Sequence, residues 1–171
     1  MPTARGYHYS YNGPLAVDGD FQIIIANELT PIASDRGQLL PVLDQTPQTL
    51  GGRPQRLLAD AGYRKEADLA QLEARGIDAY VALGREGRTT ATIDGQRHPA
   101  THRMQIKLAT PDGRETYRQR KHIVEAVNRW IKQVLGFRRF SIRGQQGAAG
   151  EWDLVCLATN LRRMRPLMVF E

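Results

Sequence analysis

Two carboxylates stand out by their surroundings. Asp60 closes the run Arg56-Leu57-Leu58-Ala59 and is followed at once by Ala61-Gly62-Tyr63. A carboxylate is thereby expected at the end of an apolar strand, where sites form and small neighbours leave it accessible. Glu125 lies among apolar residues at helical spacing, Ile123, Val127, Trp130, Ile131 and Val134, and faces away from their stripe. Lys121 precedes it by four residues and Lys132 follows by seven. At 3.6 residues per turn, seven residues drift by only about 20°, so Lys121, Glu125, Asn128 and Lys132 form one polar row. Phosphoryl transfer is chemistry that such a row can serve. Carboxylates hold Mg²⁺ or Mn²⁺ through oxygen, and two ions about 3.5–4 Å apart stabilise the attacking and leaving oxygens. Cations beside them position a phosphate backbone. Each feature also has a plainer use, since Asp60 can cap the turn it opens and Lys121–Glu125 can be a surface pair worth about 0.2–0.5 kcal/mol.

The elements that must carry these residues follow from periodicity and punctuation. Tyr7 to Val17, the turn Asp18-Gly19-Asp20 and the run Phe21 to Ala26 read as a hairpin, with Pro14 marking an edge or a bulge. Ser34 or Asp35 can cap a helix through Leu39, Leu40, Val42 and Leu43 that ends at Pro47 and Gly51-Gly52. Arg56 to Asp60 is a short strand, Lys65 to Ala74 a helix closed by Gly76, and Ile77 to Leu83 a further core strand. From about 84 to 113 the chain reads as an irregular insertion or loop containing Pro99 and Pro111. A long helix runs from about Glu115 to Gly136. Phe137 to Arg143 is a short strand or an extended connector, and a last helix spans about Gly150 to Arg163. This order describes one α/β layered domain over 1–171.

Composition narrows the partners. With 171 residues and 41% apolar content the chain can bury a core. No segment resembles a signal peptide and no apolar run approaches the roughly 18 residues of a membrane span, which points to a cytoplasmic protein with no membrane partner. The single cysteine, Cys156, excludes an internal disulfide and reads as a buried thiol. The net charge of +6 is uneven: residues 1–96 carry −3, residues 97–143 carry +9 and residues 144–171 balance. A surplus concentrated in 47 residues, with Arg138, Arg139 and Arg143 at its end, suits a polyanion, or simply a solvated face. His98 and His102 share a four-residue spacing, but a metal site needs further ligands and Pro99 stands between them.

The motifs, taken in order, resemble a family. Leu57-Leu58-Ala59-Asp60-Ala61-Gly62-Tyr63 resembles the second-Asp motif of bacterial insertion-sequence DDE transposases, and Tyr117, Lys121, Glu125 and Lys132 resemble their Tyr–basic–Glu–Lys signature. The signature usually carries Arg at the basic position, so Lys121 is a departure, or Arg120 serves with a shift of one residue. Gly6-Tyr7 to Asp18 is similar to the family's Gly-Tyr-Asn…Ala-Val-Asp strand, and Gly136 to Phe140 with Gly150-Glu151-Trp152 to the segment after the catalytic helix. The resemblance covers most of the chain and is weakest from about 86 to 103. It implies a ribonuclease-H-like mixed sheet with flanking helices. It also implies Asp60 and Glu125 as catalytic metal ligands, and Tyr117, Lys121, Asn128, Lys132, Arg138 and Arg139 as DNA contacts. The strand bearing the first catalytic Asp would precede residue 1, because Asp18 and Asp20 fall in the hairpin turn. The expectation is a truncated transposase domain, inactive alone, whose partners are DNA and other transposase chains in a homo- or hetero-oligomer. The rival readings are a non-catalytic DNA-binding protein or inhibitor of a full-length transposase, and an RNA-associated basic protein.

Overall fold

The computed structural model describes residues 2–3, 6–7, 11–84 and 92–168, the first two pairs by their backbone. Residues 8–10 of the expected first strand and 85–91 of the expected irregular stretch lie outside the described residues. Helices and small sheets give a mixed α/β architecture in two compact units, Met1–Asp35 with Ile123–Glu171, and Arg36–His122.

In the unit 36–122 the central feature is a parallel pair, β5 (Arg56–Ala59) with β6 (Asp78–Val81), in which Arg56 faces Asp78 and Ala59 faces Val81. Parallel neighbours need a crossover, here supplied by α3 (Glu66–Ala74). The helix ends where Gly76 takes φ +70°, with Ile77 N–H donating to Leu72 C=O and Gly76 N–H to Glu73 C=O, both at 3.0 Å. This left-handed cap needs glycine and turns the chain into β6. Leu69, Leu72, Ala79 and Val81 are buried together with Ala59, Leu39 and Leu43.

The helix expected from Ser34 or Asp35 is two short ones, α1 (Leu39–Leu43) and α2 (Thr46–Leu50). Asp35 instead accepts from Asn12 Nδ2 at 2.5 Å, and Pro47 sits in the first turn of α2, where its missing N–H costs nothing. The stretch 84–113 also holds more than a loop. Pro99–Ala109 form α4 and Pro111–Arg120 form α5, each opened by a proline that a breaker reading mistakes for a stop. Ala100 and Met104 of α4 join the core. Glu66 seats the helix: its carboxylate accepts from Ala100 N at 2.8 Å, Thr101 N at 3.0 Å and Thr101 Oγ1 at 2.5 Å.

The other unit is built on the antiparallel pair β3 (Leu15–Val17) and β4 (Ile24–Asn27), with a bulge between Ala16 and Val17. Preceding it, β1 (Pro2–Thr3) and β2 (Gly6–Tyr7) also pair antiparallel. The long helix α7 (Gln145–Met164) packs on β4, and its Asn160 donates to Ile24 C=O and accepts from Ile24 N–H, each at 2.8 Å. Ile24, Val127, Ile131, Trp152, Val155 and Cys156 form this core. Burial pushes the Cys156 thiol up to about 12, aided by the Asp153 charge. Phe137 to Arg143 is a connector without strand pairing, held because Phe137 and Phe140 pack near Trp152, with ring centroids 6.1 and 6.4 Å from it. No helix among the described residues is long and apolar enough to cross a membrane.

Glu66 generates a stability prediction. Burial pushes its carboxyl up, but the Thr101 hydroxyl, the Ala100 and Thr101 amides and His98 together hold it below the usual carboxylate range. A depressed native value stabilises the fold above the unfolded carboxylate's range and loses that stability as pH falls through the native value. Glu66→Ala should lower unfolding free energy at neutral pH by about 1–3 kcal/mol. Denaturant titrations between about pH 6 and pH 3 should show a smaller acid loss in the variant than in the wild type.

Candidate functional site

Asp60 follows β5 directly, at the C-terminal end of the parallel pair, and is half-buried. Its side chain caps the 3₁₀ turn Ala61–Tyr63, with Oδ1 accepting from Gly62 N–H at 2.9 Å. The turn-capping role is therefore present, and one bond on Oδ1 leaves acceptor capacity on both carboxylate oxygens. Arg64 is fixed at the same end of the pair, where its guanidinium donates to Leu83 C=O at 2.5 Å. Nothing in the residue pattern singles out Arg64 beyond its nearness to Asp60.

Glu125 is exposed and ends a π-helical turn, Lys121–Glu125, that continues α5 into α6 (Ala126–Arg129). A second π-helical turn, Trp130–Val134, follows. Wider turns with i→i+5 bonding shift side chains around the axis relative to an α-helix, so the straight polar row drawn at 3.6 residues per turn does not hold as drawn. Its members do stay off the buried stripe: Lys121, Glu125 and Lys132 are exposed and Asn128 is half-buried, while Val127 and Ile131 are buried. The stripe itself is shorter than expected, because Val134 is 65% exposed. Asp60 belongs to the unit 36–122 and Glu125 to the other, with the division between His122 and Ile123.

The remaining candidates divide by what holds them. Tyr117 is half-buried on α5, with the Arg120 guanidinium 5.6 Å from its ring centroid, a cation–π approach that orients Arg120. Arg138 folds back on the helix end, donating to Lys132 C=O at 3.2 Å and to Gln133 Oε1 at 2.8 Å, and so satisfies a terminal carbonyl. Arg139 is exposed. Glu151, to which the sequence pattern assigns no role, secures the connector that carries both arginines. It accepts from Ser141 N–H and Ile142 N–H, and those bonds, Ile142's first, hold its carboxyl below the usual range against the opposing effect of desolvation.

A hard divalent cation takes oxygen ligands, and Mg²⁺ in particular is held by one or two carboxylates with waters and substrate phosphates completing the shell. Asp60 and Glu125 fit that donor chemistry. Among the described residues no group of three or more His, Cys, Asp or Glu side chains gathers to hold a metal ion.

Since Asn can accept the Gly62 amide as Asp does, Asp60→Asn should leave the thermal midpoint essentially unchanged. Asp60→Ala should cost about 0.5–1 kcal/mol. Equal destabilisation by both, read by thermal denaturation, would mean that the charge of Asp60 and not its cap matters to the fold.

Comparison with known protein families found a match between residues 2–161 and the family model described as transposase DDE domain. Neither the curated proteins nor the solved structures gave a match.

Proposed function

The chain belongs to the transposase DDE-domain family, and from that premise we propose that it acts on DNA in transposition, bringing Asp60 and Glu125 to a divalent-metal site for strand cleavage and transfer. The observation that carries the reading is the extent of the family match, 2–161, which takes in both carboxylates and the cationic residues near Glu125. In this reading β3 and β4 correspond to the second and third strands of a ribonuclease-H-like sheet, β5 is the strand whose end bears the second Asp, and the helical run from 111 bears the Glu. Asp18, whose side chain accepts from Phe21 N–H at 2.6 Å, and Asp20 lie in the hairpin turn and not on the strand expected to bear the third carboxylate of the trio. In this reading another transposase chain supplies it.

The chain's own residues then have distinct work. Asp60 and Glu125 offer oxygen donors. Lys121, Lys132 and Arg139, all exposed, neutralise backbone phosphates and set the position of the strand. Arg138 and Glu151 hold the helix end and the connector so that Arg139 is presented from a fixed segment. Mg²⁺ or Mn²⁺, when bound, would polarise the phosphoryl group and stabilise charge on the displaced oxygen.

Purified protein should bind duplex DNA with affinity that falls steeply with salt, and Lys121→Ala/Lys132→Ala should reduce the log–log salt slope by about 2. In a supercoiled-plasmid assay with Mg²⁺ or Mn²⁺ the chain alone should not nick. Robust nicking lost in both Asp60→Asn and Glu125→Gln would overturn the claim that a third carboxylate is supplied from outside. Failure to bind duplex DNA even at low salt would remove the DNA reading itself.

A further inference from the structure

Residues 144–171 balance in charge, yet all three of their basic groups, Arg162, Arg163 and Arg165, fall within four positions, and no acidic residue occurs between Cys156 and Met168. The three line a pocket of about 560 Å³ together with Val127, Trp130 and Pro166. Arg162 is held over the Trp130 ring, its guanidinium carbon 5.5 Å from the centroid. That contact fixes a side chain which would otherwise lose rotamer freedom on binding. Among the described residues no carboxylate pairs with any of the three arginines. The Trp130 Nε1 is buried with no hydrogen-bond acceptor among the described residues. The Thr159 hydroxyl in the same wall is occupied, donating to Val155 C=O at 2.7 Å. The pocket therefore presents three exposed guanidinium groups beside apolar walls, a surface suited to an oxyanion.

Part of this charge suits the C-terminal end of α7, where Arg162 and Arg163 lie in the last turn and complement the helix dipole. The same dipole also suits Arg165 at the C-cap of α7, but it does not account for the convergence of all three on one concavity. Guanidinium forks match phosphate oxygens in pairs, and three of them exceed what a single carboxylate can use. We propose that this pocket is a second DNA-backbone site, in which Arg162, Arg163 and Arg165 grip phosphodiester groups and Trp130 acts as a positioning residue for Arg162. The proposal rests on the DNA reading above and adds to it a contact outside the 97–143 segment.

The test is fluorescence-anisotropy binding of duplex DNA across a salt series by the whole chain, wild type, Arg162→Ala/Arg163→Ala, and Trp130→Phe. The double variant should reduce the log–log salt slope by about 2 and weaken binding roughly tenfold or more near 0.1 M salt, beyond the small drop in thermal midpoint that loss of two helix-end charges brings. Trp130→Phe, which keeps a ring beneath Arg162, should bind within about twofold of wild type. Inorganic phosphate should displace the DNA no better than chloride of equal ionic strength. A double variant that melts earlier while keeping the wild-type slope would show helix-end arginines only and overturn the proposal. Saturable displacement by phosphate, absent in the double variant, would assign the pocket to a free anion and overturn it too. Wild-type binding unaffected by the substitutions sinks this inference alone, whereas wild type that fails to bind DNA at low salt sinks it together with the proposed function.

Discussion

A parallel pair of strands cannot be closed by a tight turn, and that restriction organises the unit that carries Asp60. Having run out along β5, the chain must return to the opposite end of the sheet before β6 can begin. The return occupies the turn capped by Asp60, helix α3 and the glycine cap at Gly76. Asp60 is thus placed twice over, as the residue at which the strand stops and as the group that satisfies the Gly62 amide early in the return path. A carboxylate so placed sits on a rigid element and keeps acceptor capacity. The burial of Leu69 and Leu72 under the pair, with Ala79 and Val81 facing them, holds the crossover in position.

Much of that arrangement is legible in the residues. Apolar runs ending at Asp60 and Leu83, with Gly76 between them, identify strand, helix and strand with bounds close to those observed, because each stop has a local chemical cause. Prolines are harder to read. Pro47, Pro99 and Pro111 all stand in first turns, where the absent N–H is no loss, yet in the sequence each resembles a break or a loop. The buried Ala100 and Met104 show why α4 forms: Glu66, thirty-four residues away in sequence, supplies the cap, and such a partner has no signature near the helix itself.

The helical run that carries Glu125 shows a different limit. Periodicity locates the helix and its polar side, and Val127 and Ile131 are buried as expected. The two π-helical turns leave no mark in hydrophobic spacing, yet they govern how the polar side chains are disposed. Charge counting has a similar blind spot. A segment that sums to zero conceals three arginines packed into four positions, because a sum over residues discards where in the fold they converge.

Asn160 carries a consequence for how this sheet can grow. By engaging both the amide and the carbonyl of Ile24, it does for that residue what a neighbouring strand would do, from a side chain on α7. An open edge is otherwise a template on which foreign chains can add. With those two groups occupied, β4 offers no continuous ladder, and recruitment of an extra strand there requires the asparagine amide to be displaced. A single side chain thereby guards the hairpin at Ile24 against chance lengthening.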